Sequence, residues 1–281
     1  MRFAPIGPTR LLRSIRDQFG YSMLGHYHLV LAHDVVENSK EWENLLPEHS
    51  TVIIDNGIIE LGNPVVWEVM KAAVDILGQS IKPVVVLPDR FDDPDTTYQG
   101  SKEYYNRIES KLSDDIQYMY VIQGKVARQV DAAIAYGKML SNDTRINWWG
   151  IPRIVGNNMG TRMYTILKAR EQKLKVSPHL KLHLLGFSNN VRDDIFCSRE
   201  QDIEGIDSTV PLRLGQKDRR LILDIDLPDQ AGPRSEDTFW EDSHDVVKPM
   251  TMHNLSLVKR AIRDPYPSIG DYRPSLKQGS Y

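Results

Sequence analysis

The chain has 281 residues, 41% of them hydrophobic and 26% charged, and a formal net charge of −3. This balance excludes a chain disordered throughout, and 18 Gly and 16 Pro with no period exclude a collagen-type helix. Cys197 is the single cysteine, so neither an internal disulfide nor a zinc site built on several thiolates can form.

Residues 1–27 begin MRFAPIGPTRLLRSIRDQFG, without the apolar core of a secretory signal, and are read as an N-terminal extension. Short apolar runs then follow at His28–Ala32, Thr51–Ile54, Pro83–Leu87, Tyr118–Ile122, Trp148–Ile151 and Leu182–Leu185, with a further candidate strand at Glu204–Asp207. Unbroken runs of this length suit parallel strands covered on both faces. Helical patterns lie between them. Pro64 suits a first helical position and is followed by Val65, Val69, Ala72 and Ile76. Val126, Val130, Ala133 and Ile134 precede Gly137, and Met159–Leu174 is a third such stretch.

Strands alternating with helices predict a single-domain (β/α)8 TIM barrel over residues 28–263. A doubly wound sheet would need a glycine-rich phosphate turn after an early strand, and the turn after Ile54 is Asp55-Asn56-Gly57 instead. Residues 225–249 are polar, acidic and rich in proline, and read as a surface excursion before a last helix at Met252–Arg263. The tail, 264–281, carries Pro265, Pro267 and Pro274. No apolar run is long enough to span a bilayer, and the expectation is a cytoplasmic protein.

In a parallel barrel the chemistry sits at the C-terminal ends of the strands. There the sequence puts Asp55 and Asn56, Asp89, Gln123 and Gly124, Gly156 and Asn157, Gly186, and Asp207. Any one Asp also fits a helix cap or a turn. Together, two carboxylates and a carboxamide suit the edge of a heterocyclic base, and a carboxylate pair suits attack at an anomeric carbon. Spacing alone does not assign the roles. His26 and His28, with His33 and Asp34 following, offer a metal-site alternative; packed or exposed histidines explain them as well. Basic residues cluster at Arg2, Arg10, Arg13 and Arg16, at Lys217, Arg219 and Arg220, and at Lys259, Arg260 and Arg263. Each cluster fits either solvated surface or a polyanion contact.

In order along the chain, Asp55-Asn-Gly-Ile-Ile-Glu60, Ile122-Gln123-Gly124, Ile151-Pro-Arg-Ile-Val-Gly-Asn157, Leu184-Leu-Gly-Phe-Ser188, Ile206-Asp-Ser-Thr-Val-Pro-Leu-Arg213 and the His253-Asn-Leu helix start resemble the motifs of the tRNA-guanine transglycosylase superfamily. Those enzymes are (β/α)8 barrels that exchange guanine for a 7-deazaguanine base. The resemblance implies that Asp207 is the nucleophile and Asp55 the general acid/base. It implies that Asp89 and Gln123 read the base edge with Asn56 and Asn157 beside them, and that Gly156 and Gly186 give close backbone approach. Arg213 would steady the nucleophile loop or a phosphate.

The family's structural zinc needs three cysteines plus the His of the H-N-L helix, so here no metal is expected, and no other cofactor. This chain is shorter than the bacterial tRNA enzymes. It is most similar to zinc-less phage and bacterial homologues that place 7-deazaguanine derivatives of the preQ0 type into DNA, a protection against restriction. The expected partners are therefore DNA and a 7-deazaguanine base, in the host cytoplasm if phage-encoded, with Lys217, Arg219 and Arg220 as first candidates for phosphate contacts. The same chemistry on tRNA, or a silent nucleic-acid-binding barrel, are the alternatives.

Overall fold

A computed structural model describes residues 2–78, 80–108, 112–113, 115–153, 159–175, 177–187, 190–200, 203–223 and 246–263. They fold as one (β/α)8 barrel. The strands are β1 (Arg2–Pro5), β2 (Tyr27–Leu31), β3 (Thr51–Asp55), β4 (Lys82–Val86), β5 (Gln117–Val121), β6 (Trp148–Pro152), β7 (Lys181–Leu185) and β8 (Gly205–Ser208). All are paired in parallel, in the order β1-β8-β7-β6-β5-β4-β3-β2, and β1 and β2 run side by side where the sheet's edges meet. The helices are α1 (Thr9–Phe19), α2 (Tyr21–Leu24), α3 (Ala32–Glu37), α4 (Ser39–Trp42), α5 (Ile58–Leu61), α6 (Trp67–Leu77), α7 (Pro94–Ile108), α8 (Ala127–Leu140), α9 (Met159–Lys175), α10 (Val191–Glu200), α11 (Val210–Gln216) and α12 (Pro249–Arg263). None is long and apolar enough to cross a membrane.

Strand side chains alternate between two buried layers, which is why the runs read as continuously apolar. In β3, Val52 and Ile54 pack under the helices while Ile53 points inside; in β5, Tyr118 and Tyr120 go out and Met119 and Val121 go in. Each such aliphatic side chain, fully buried, contributes about 1.5–3 kcal/mol. The same parity sends Asp55, Gln123 and Asp207 toward the barrel axis at the C-terminal rim.

The barrel starts earlier than residue 28. β1 pairs with β8 from Arg2↔Gly205 to Pro5↔Ser208, and α1 buries Leu11, Leu12 and Ile15, so the stretch read as an extension is the first β/α unit. The reason it escapes sequence reading is local: RFAP is only four residues long, begins with a charge and ends with proline. Two helices also differ from expectation. α6 begins at Trp67, because the Val65 N–H donates to Asn56 O and holds the preceding link extended. α8 passes through Gly137 to Leu140. A Cβ at Gly137 would stand 3.0 Å from the rings of Trp149 and Tyr120, so this glycine permits close packing and does not end the helix. Residues 225–245 of the expected excursion and the tail 264–281 lie outside the described residues.

Candidate active site

The C-terminal ends of the strands surround a cavity of about 280 Å³, whose lining includes Asp55, Asp89, Gln123, Gly186, Asp207 and Arg213. Six residues expected at the site therefore face one space. Gly156 and Asn157 lie outside the described residues.

On one side, Asn56 organises the carboxylates. Buried beneath the rim, it donates through Nδ2 to Leu87 O (3.0 Å) and to Asp89 Oδ1 (2.9 Å), and its Oδ1 accepts the Ile58 N–H (3.0 Å). Gln123 Nε2 donates to the other oxygen of Asp89 at 2.6 Å. Asp89 is thus held rigidly by two amides, its plane fixed for a ligand edge. Burial raises its pKa above the usual carboxylate value, and the Asn56 and Gln123 donors oppose part of that rise. Asp55 accepts the Asn56 N–H at 2.8 Å. Its pKa is pushed well above the carboxylate range, first by burial and then by the negative charges of Glu60, Asp89 and Asp207. A carboxyl so placed holds its proton to higher pH and suits a general acid.

Opposite stands Asp207 in β8. Its Oδ1 lies 2.8 Å from His183 Nε2, and its Oδ2 accepts the Gly186 N–H at 3.1 Å. Gly186 follows β7 with a left-handed φ of 74°, and a Cβ there would press within 3.2 Å of Arg153 Cδ. The turn that presents its N–H is anchored from outside: fully buried Arg162 pairs with Asp194 (2.9 Å) and donates to Gly186 O (2.9 Å). His183 Nδ1 in turn lies 2.6 Å from the Tyr27 hydroxyl.

His183, Tyr27, Arg162, Arg153 and Glu60 were not picked out as site residues from sequence. For His183 the signal was parity: it lies two residues before Leu185 on a strand whose alternate positions face inward. Arg153 is the first charge after β6, a position equivalent to those that were read.

After β8, α11 carries Arg213 to the cavity wall, while Lys217, Arg219 and Arg220 lie beyond its end, exposed and outside the cavity lining. Asn254 fastens this segment: buried in α12, it accepts the Leu221 N–H (2.8 Å) and donates to Arg219 O (2.8 Å). In the H-N-L start, therefore, the Asn carries the structural contact, and among the described residues His253 Nε2 is buried without a hydrogen-bond partner. His28 faces outward from β2, bonds Gly25 O at 2.9 Å, and has its pKa lowered to about 4 by burial, while His26 is exposed. Among the described residues no three His, Cys, Asp or Glu side chains gather as a metal site would need. The other basic clusters lie elsewhere. Arg2 binds Glu204 at the opposite end of the barrel, Arg13 caps Glu41 O, and Lys259 donates to Met23 O just before β2.

No family model matches the chain, and no curated protein matches it. Among solved structures it is similar to a protein from Coccidioides immitis named as a candidate fructose-1,6-biphosphate aldolase, with 9% identity, a TM-score of 0.37, and coverage of 93% of this chain and 88% of that one.

Proposed function

We propose that the protein is a base-exchange glycosyltransferase that replaces guanine in DNA by a 7-deazaguanine of the preQ0 type, through a covalent deoxyribosyl intermediate on Asp207. The observation that carries the reading is the division of one cavity. A carboxylate held by His183 Nε2 and the Gly186 N–H, Asp207, stands on one side, and a buried carboxylate–carboxamide pair, Asp89 and Gln123, stands on the other.

The chemistry follows from those groups. Asp207 attacks C1′; the C1′–N9 bond breaks, its electron pair leaves with guanine, and Asp55 supplies the proton that neutralises the departing base. The incoming deazapurine gives its N9 proton back to Asp55 and attacks C1′, and Asp207 returns to a carboxylate. Asp89 accepts the N–H donors of a guanine-like edge while Gln123 offers an amide hydrogen to its carbonyl oxygen. The target nucleotide leaves the stack to enter the cavity, at a few kcal/mol. Arg213, with Lys217, Arg219 and Arg220 beyond it, is the proposed contact to the neighbouring phosphates.

Labelled guanine and labelled preQ0 are each incubated with the protein and, separately, with single-stranded DNA, duplex DNA and tRNA. Incorporation into DNA is the expected result. Incorporation into tRNA alone would move the acceptor to RNA, and incorporation into none would overturn base exchange.

A further inference from the structure

Beneath Asp207, inside the barrel, stand two buried side chains that the reaction above leaves without a role. Tyr27, His183 and Asp207 are exposed by 2%, 0% and 4%, and they are joined in a line: the Tyr27 hydroxyl at 2.6 Å from His183 Nδ1, and His183 Nε2 at 2.8 Å from Asp207 Oδ1. The direction of this line follows from its geometry: a carboxylate oxygen only accepts, so the Nε2–H points at Oδ1, and the Nδ1 lone pair takes the hydrogen of the Tyr27 hydroxyl.

Tyr27 is itself held. Its ring stacks on Trp148 with centroids 6.4 Å apart, and the Arg2 guanidinium lies 4.3 Å above it. A Cβ at Gly205 would fall 2.3 Å from the ring, so the place for Tyr27 exists because β8 has glycine there, two residues before Asp207. His183 does not line the cavity, whereas Gly186 does. The two oxygens of Asp207 therefore differ: Oδ1 is turned to the interior, and Oδ2 sits beside Gly186 at the cavity wall.

We propose that His183, its tautomer fixed by Tyr27, is the positioning residue of the nucleophile: it holds Oδ1 so that Oδ2 attacks, and it stays bonded to Oδ1 in the intermediate. This rests on the base-exchange reading of the same site. In the first step the Oδ2–C1′ bond forms, the C1′–N9 bond breaks, and Oδ1 becomes the carbonyl oxygen of the ester. In the second, the C1′–Oδ2 bond breaks and its electron pair returns to the carboxylate, which the Nε2–H stabilises as it leaves. No proton passes along the line; its work is orientation and a preorganised donor.

Two measurements on the full chain separate this inference from the reading beneath it. Imidazole ¹⁵N spectra should show His183 as the Nε2–H tautomer in the wild type, and a mixture of tautomers in Tyr27→Phe. In base exchange, Tyr27→Phe should lower kcat about tenfold, and His183→Phe about 10²-fold, with KM for the free base unchanged. His183→Gln, which keeps an amide donor, should recover part of the loss. An Nδ1–H tautomer in the wild type, or wild-type kcat in Tyr27→Phe, would overturn the inference, and the Tyr27 variant decides the matter even if His183→Phe does not fold. If the wild type exchanges no base at all, the functional reading fails, while the spectra still judge the Tyr27–His183 line.

Discussion

The floor of the barrel and its mouth use the same inward-facing strand positions, and they treat polar side chains in opposite ways. At the floor, Arg2 pairs with Glu204 and donates to Thr51 (3.2 Å), and Trp148 and Lys181 both donate to Gln117 (2.7 and 3.4 Å). Donor meets acceptor and the barrel is closed. At the mouth, Asp55, Asp89 and Asp207 converge with Glu60, and burial first, then the neighbouring negative charges, push the Asp55 pKa upward. The floor is arranged for stability. The mouth stores unfavourable electrostatics, and perturbed carboxylates at the C-terminal rim of a barrel mark a candidate site.

The largest effect is expected where the mouth is braced by Arg162. Replacing Arg162 by Met breaks the buried ion pair with Asp194 at 2.9 Å and removes the donor to Gly186 O, so urea unfolding should show a loss of about 3–5 kcal/mol. Exchange by the remaining folded protein should fall as the Gly186 N–H loses its alignment on Asp207.

A smaller effect, opposite in sign, is expected from Asp55→Asn. The folded pKa of Asp55 is raised above the 3.8 of the free carboxyl, so the folded state binds the extra proton and wild-type stability falls as pH rises from about 4 through the folded pKa. The Asn variant escapes that fall. It should exceed the wild type by about 0.5–2 kcal/mol at neutral pH, with the difference vanishing near pH 4, while exchange is lost. Thermal melts across pH measure the first and labelled-guanine incorporation the second. For the wild type, exchange should decline on the alkaline side as Asp55 loses its proton.

The least effect belongs to the floor. Arg2 and Glu204 are partly exposed, at 38% and 33% for their side chains, and such pairs contribute about 0–1 kcal/mol. Glu204→Gln should change the melting temperature slightly and leave exchange at the wild-type rate. A large loss of exchange would mean that the floor is coupled to the chemistry at the mouth.

Much of this arrangement is written in the sequence where strand ends meet turns. Asp55, Asp89, Gln123 and Asp207 could be read because each follows or ends an apolar run, and the runs are visible because both faces of these strands are buried. β1 is hidden because Arg2 and Pro5 interrupt its only four residues, its charge being matched by Glu204 some two hundred positions away. His183 and Tyr27 are hidden for another reason. His183 sits inside a run that reads as apolar, Tyr27 lies one residue before the run that begins at His28, and only the register, His183↔Gly205 across β7 and β8, brings them beneath Asp207. Which inward-facing residues touch is a property of barrel closure, and no local pattern encodes it.

The proposed exchange depends on a covalent bond from Asp207 to C1′. The protein is incubated with target DNA without an incoming base, quenched in denaturant, and examined by mass spectrometry of the protease-cleaved adduct. A deoxyribosyl-linked peptide containing Asp207 is expected, absent in Asp207→Asn, with that variant folded and inactive in exchange. Wild-type exchange by Asp207→Asn, or an adduct on the peptide containing Asp55, would contradict it.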